Sequence, residues 1–128
     1  MDIIQFIFEE IDKDIFIQFK NIDYDIDDLI NYFSNIIIPI IYEKRELIKV
    51  LYTSSLNGYW INFLERRYSA IIYKKKYYNL KKRIFIKYII SIIEVWITDD
   101  IPDVPIEFKK DFLNYLNRNI IDIQKESK

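Results

Sequence analysis

The chain contains neither cysteine nor histidine. That absence removes disulfides, thiolate nucleophiles, imidazole general bases and the usual ligands of structural zinc. No catalytic residue, metal site or cofactor is expected, and the chain is not expected to be an enzyme. Gly58 is the single glycine, and Pro39, Pro102 and Pro105 are the three prolines. These are too few to punctuate a series of short strands. Long hydrophobic runs are also missing. Pro39 breaks the run 36–41, and Lys87 and Glu94 interrupt 84–97, so nothing reaches the ~18 apolar residues of a membrane span. The opening Met1-Asp2 lacks the basic start of a secretory signal. No membrane partner is expected, and a cytoplasmic location is.

What the chain has in quantity is isoleucine and aromatics: 11 Tyr, 9 Phe and 2 Trp in 128 residues. One domain of this length buries about two thirds of its unfolded surface. By propensity alone such residues favour strands, but AT-rich codons specify the same set, so periodicity has to decide. It decides for helices. Ile4, Ile7, Phe8, Ile11, Ile15 and Phe19 recur at helical spacing, with Glu9, Glu10, Asp12 and Lys13 on the opposite side. A second helix follows the loop 21–25, with Asp25 or Asp27 able to accept backbone N–H bonds at its start, and runs to about Tyr42. Pro39 within it forbids one backbone hydrogen bond and should kink the helix or end its regular part about one turn early.

A short helix over 44–54 carries Leu47, Ile48, Leu51 and Tyr52 on one side. Ser54, Ser55, Asn57 and Gly58 should end it, with Gly58 free to take positive φ. The fourth helix covers about 59–77. Between Ile84 and Ile97 the polar side chains Lys87, Ser91 and Glu94, continuing to Thr98, make one narrow stripe. A helix apolar around the rest of its circumference is buried on more than one side, which suggests that it also faces a partner subunit. Asp103-Val104-Pro105 then opens a last helix, with Phe108, Phe112, Leu113, Leu116, Ile120 and Ile123 on its apolar face. The expected fold is all-α, one domain over 1–128, a bundle of about six helices.

Net charge is −1, distributed unevenly. Residues 66–87 hold Arg66, Arg67, Lys74, Lys75, Lys76, Lys81, Lys82, Arg83 and Lys87. Clustered cations suit phosphates, but this stretch joins two helices and carries no nucleic-acid-binding motif; a solvated junction is the expectation. Asp23, Asp25, Asp27 and Asp28 alternate like part of a calcium loop. Asp28 and Ser34 stand where such a loop needs Gly and Glu, so capping and solvation suffice.

Residues 40–64, IIYEKRELIKVLYTSSLNGYWINFL, followed by 89–116, IISIIEVWITDDIPDVPIEFKKDFLNYL, resemble the regulatory half of TetR-family transcription regulators. The shared pattern is a helix closing in a Tyr-Glu-x-Arg-like turn, a short helix and then a long one. A further helix ends near a Trp, and a Pro-containing loop leads into the last helix. The resemblance implies the effector-binding and dimerisation domain of a repressor, with DNA contacted only through a helix-turn-helix domain missing from this chain. It further implies a cavity for an unknown small apolar or amphipathic effector, lined by some of Phe33, Ile37, Leu51, Tyr52, Trp60, Phe63, Leu64, Tyr88 and Ile92. The same aromatics equally suit a packed core. A homodimer is expected through the last two helices, at Ile86, Ile89, Ile93, Trp96, Phe108, Phe112, Leu116 and Ile120. The other reading is a stand-alone helical protein-interaction and dimerisation module without a small ligand.

Overall fold

The computed structural model describes residues 2–20, 30–73 and 80–126, with side chains over 2–20, 30–70 and 84–116. The acidic run at 23–28, the side chains of Lys74 to Lys76, Lys81, Lys82 and Arg83, and those of Ile71, Ile120 and Ile123 lie outside the described residues. Within them the fold is all-α. Six α-helices follow in order: α1 (Ile3–Lys20), α2 (Ile38–Glu43), α3 (Arg45–Thr53), α4 (Asn57–Tyr73), α5 (Leu80–Ile97) and α6 (Pro105–Glu126). A π-helical segment, Phe33–Ile37, runs directly into α2.

Local chemistry sets these boundaries. Asp2 Oδ1 accepts the Ile4 N–H at 3.1 Å and caps α1. The irregularity expected at Pro39 falls one turn before it: Ile38 N–H bonds the Phe33 carbonyl, five residues back. A π segment at that point spreads the turn from which proline withdraws a donor. Ser54 ends α3 by accepting the Leu56 N–H at 3.1 Å on its hydroxyl. Gly58 does not serve as a positive-φ stop, since no glycine here has positive φ; it sits inside the first turn of α4. Between α5 and α6, Trp96 Nε1 donates to the Asp103 carbonyl at 2.8 Å, and the Trp96 and Phe108 rings stack at 4.0 Å. That pair fixes the loop carrying Pro102 and leading into Pro105.

The π segment and α2 form the middle of the bundle, touching α1, α3 and α6 between them. Ile37, Ile38, Ile97, Phe112 and Leu116 are sealed from solvent there, and Phe33 stacks on Phe112 at 5.2 Å. Helix α5 packs against α3, α4 and α6 of its own chain. Its wide apolar circumference is therefore covered largely from within. Among the described residues no helix is long and apolar enough to cross a membrane.

Candidate ligand-binding cavity

On α1 the inward positions are Phe8, Asp12, Ile15 and Phe19, an i, i+4, i+7, i+11 stripe. A carboxylate thus occupies a core position and is 1% exposed. The sequence expectation that Asp12 shares the solvent side with Glu9 and Lys13 is overturned, because the helix phase set by Phe8, Ile15 and Phe19 carries it inward. Tyr68 of α4 supplies its main compensation, with the hydroxyl donating to Oδ1 at 2.8 Å and Oδ2 at 3.0 Å. Arg67 Nε lies 3.3 Å from Oδ2, yet its N–H makes no hydrogen bond among the described residues. Its contribution is Coulombic. The guanidinium lies instead over the Phe16 ring, 3.7 Å from the centroid. At this position the expected solvated basic junction gives way to a half-buried cation.

Burial dominates the titration of this group. It raises the Asp12 carboxyl to about 7, against the opposing pull of the Tyr68 hydrogen bond and the Arg67 and Lys44 charges. Burial and the neighbouring Asp12 charge push the Tyr68 hydroxyl well above its ordinary value, so it remains a donor at physiological pH. From the other side, Lys44 Nζ donates to the Ile11 carbonyl at 2.9 Å and stands 3.4 Å from Asp14. Two independent polar attachments therefore hold the middle of α1.

Beside this cluster lies a cavity of about 70 Å³. Its walls come from α1, the π segment, α2, α3, α4 and α5, and its ionisable groups are Asp12, Tyr52 and Tyr68. Tyr52 reaches the Ile90 carbonyl only at 3.5 Å; burial and then the Glu94 charge raise its hydroxyl above the ordinary range. Trp60 is 2% exposed and packs edge-on to Phe8 at 5.3 Å. Its Nε1–H finds no hydrogen-bond partner among the described residues, although the Tyr52 hydroxyl is close enough to feel it.

Of the residues expected to line a pocket, Phe33, Tyr52, Trp60 and Leu64 do line this cavity. Ile37, Leu51 and Phe63 are buried elsewhere in the core, while Tyr88 and Ile92 are half-buried and pack against it. Sequence reasoning missed Asp12 and did not assign Ile41, Ile48 or Ile89 to the wall. The signal for Asp12 was its place between Phe8 and Ile15. The residues expected at a dimer interface, Ile86, Ile89, Ile93, Trp96, Phe108, Phe112 and Leu116, are all buried within the single chain. Their own neighbours cover them, since these positions of α5 and α6 face the other helices of the same chain. The outward apolar side chains of this region are instead Ile84, Val95, Ile101, Val104, Ile106 and Tyr115.

No metal-ligating cluster of acidic residues occurs among the described residues. No family model, curated protein or solved structure matches the chain.

Proposed function

We propose that this chain is a ligand-sensing and dimerising regulatory domain of a TetR-like transcriptional repressor, with operator recognition belonging to a separate helix-turn-helix reader. The observation that carries the sensing part is the cavity. Six helical segments meet around it, its wall is almost wholly apolar, and its few polar groups include an indole N–H without a partner among the described residues. This is the composition of a small-molecule site, in which apolar surface gives affinity and a few polar groups give orientation. A ligand seated there touches α1 through α5 together, so its binding free energy acts on the relative placement of those helices. Differential binding to two arrangements is what a ligand-driven switch requires.

The test is thermal shift and tryptophan fluorescence of the 128-residue chain against neutral, cationic and anionic apolar compounds. A ligand at a hundredfold excess over its dissociation constant stabilises the fold by ~2.7 kcal/mol. A broad panel that yields no stabilisation removes the sensing assignment. The second reading, a helical interaction module, then takes its place. It draws support from the exposed Leu47 and Val50, three residues apart on α3, since adjoining surface apolars mark interaction sites.

A further inference from the structure

The cavity carries more information than its existence, because its polar groups are unequal in what they have left to give. An indole N–H is a donor only. That of Trp60 is buried, borders the cavity and makes no hydrogen bond of ordinary geometry among the described residues; the Tyr52 hydroxyl stands close enough to feel it without closing that bond, so a ligand that brings an acceptor completes it. Asp12 is in the opposite condition. Both its oxygens already take the Tyr68 hydroxyl, and Arg67 stands at one of them. A cationic ligand would compete with a resident cation and lose its own hydration in an apolar chamber. Above about pH 7, where Asp12 is ionised, an anionic ligand would meet its charge in that same low-dielectric space. Size narrows the class further. The cavity of about 70 Å³ is roughly half of the apolar cavity of about 150 Å³ that accommodates benzene, which leaves room for a compact molecule and not for a drug-sized one.

The geometry points to a neutral ligand with a compact apolar body and a single hydrogen-bond acceptor, such as a small ketone, ester or ether oxygen, taken by the Trp60 Nε1–H. This rests on the sensing reading above and specifies its ligand class. The second tryptophan supplies an internal reference, because Trp96 Nε1–H already donates to the Asp103 carbonyl at 2.8 Å.

The experiment is a ¹H–¹⁵N titration of the two indole resonances of the full chain. Its probes, used at pH 8, are acetone, the shape-matched hydrocarbon isobutene, isopropylamine and acetate. With acetone the Trp60 indole proton should move downfield while that of Trp96 stays; the hydrocarbon should give no downfield shift, and the two charged probes no saturable one. In Trp60→Phe, which keeps an aromatic ring and deletes the donor, acetone should bind about tenfold more weakly, with the hydrocarbon unchanged. Should that variant fail to fold, the native-chain contrast between ketone and hydrocarbon still decides. If acetone saturates without moving the Trp60 proton downfield, or the amine or acetate binds in preference, the ligand class is overturned and sensing stands. If none of the four binds while the wider panel stabilises the fold, the class is likewise overturned. If the panel fails too, the sensing reading falls with it.

Discussion

Asp12 holds its proton up to about pH 7 in the folded chain, against about pH 4 for an unperturbed aspartate. Between those values the native state binds more protons than the unfolded one, so stability declines as pH rises through that window. The contribution is fully present below about pH 4 and gone once pH has passed the folded value. Calorimetric melting from pH 5 to pH 8 should therefore show the native chain losing stability relative to Asp12→Asn, which has no carboxyl to ionise. Parallel curves for the two proteins would refute the raised value. Tyr68→Phe keeps the ring in its edge-on contact with Phe19 at 4.8 Å but strips the carboxyl of its donor. Urea unfolding at pH 8 should show a loss of about 1–3 kcal/mol, and no measurable loss would mean that Arg67 suffices as a partner. Nothing in residue type announces this arrangement: an Asp among Glu9, Glu10 and Lys13 reads as one more surface charge. Only its phase relative to Phe8, Ile15 and Phe19 marks it as interior.

The elements themselves were legible at this scale because their apolar spacing is regular over several turns. Helix α3 begins and ends within a residue of where periodicity and the Ser54 region put it, α5 ends at Ile97 where its apolar pattern ends, and α6 begins at Pro105 but runs on to Glu126, past the Ile123 that closes its apolar pattern. Less legible was which apolar side chain meets which neighbour. Leu47 belongs by type to the stripe of Ile48, Leu51 and Tyr52, yet it faces solvent, because a helix of under three turns has room on its inward side for few side chains. The all-round apolarity of α5 suggested a partner subunit; three helices of the same chain cover most of it. Gly58 illustrates a local misreading with a testable consequence. It lies in the first turn of α4 with an ordinary φ, and a Cβ there meets nothing within 4 Å. Gly58→Ala should raise stability by about 0.4–1 kcal/mol in equilibrium unfolding; a decrease would mean that the turn needs glycine after all.

For the whole molecule, the proposed dimer has to use surfaces that remain outside. Val95 and Ile106, 73% and 74% exposed on α5 and α6, are the discriminating positions. Val95→Lys combined with Ile106→Lys should convert a sedimenting dimer into a folded monomer, whereas Ile93→Asp or Phe112→Asp should unfold the chain itself, since a buried charge without a partner is strongly destabilising. A native chain that sediments as a monomer at micromolar concentration would refute the dimer outright. The all-α class could be read from the sequence because helical periodicity is a local property. Phe33, Tyr52, Trp60 and Leu64 are named for the cavity wall by resemblance, whereas Asp12 is not, because its place there depends on how six segments converge. One mechanical consequence follows from the way α1 is held. Tyr68 and Arg67 grip it at Asp12, and Lys44 grips it at Ile11 and Asp14, all near its midpoint. About 13 Å of helix extends to either side at 1.5 Å per residue. The C-terminal arm has one more polar tie, the Tyr32 hydroxyl donating to Gln18 Oε1, whereas the N-terminal arm is secured by apolar contacts that tolerate small slides better than a hydrogen bond does. The helix is thus mounted as a lever, with its fulcrum beside the cavity and its free arm toward Ile3. A tilt of about ten degrees there would carry that arm's end, where Ile3 and Phe6 face solvent, through roughly 2 Å.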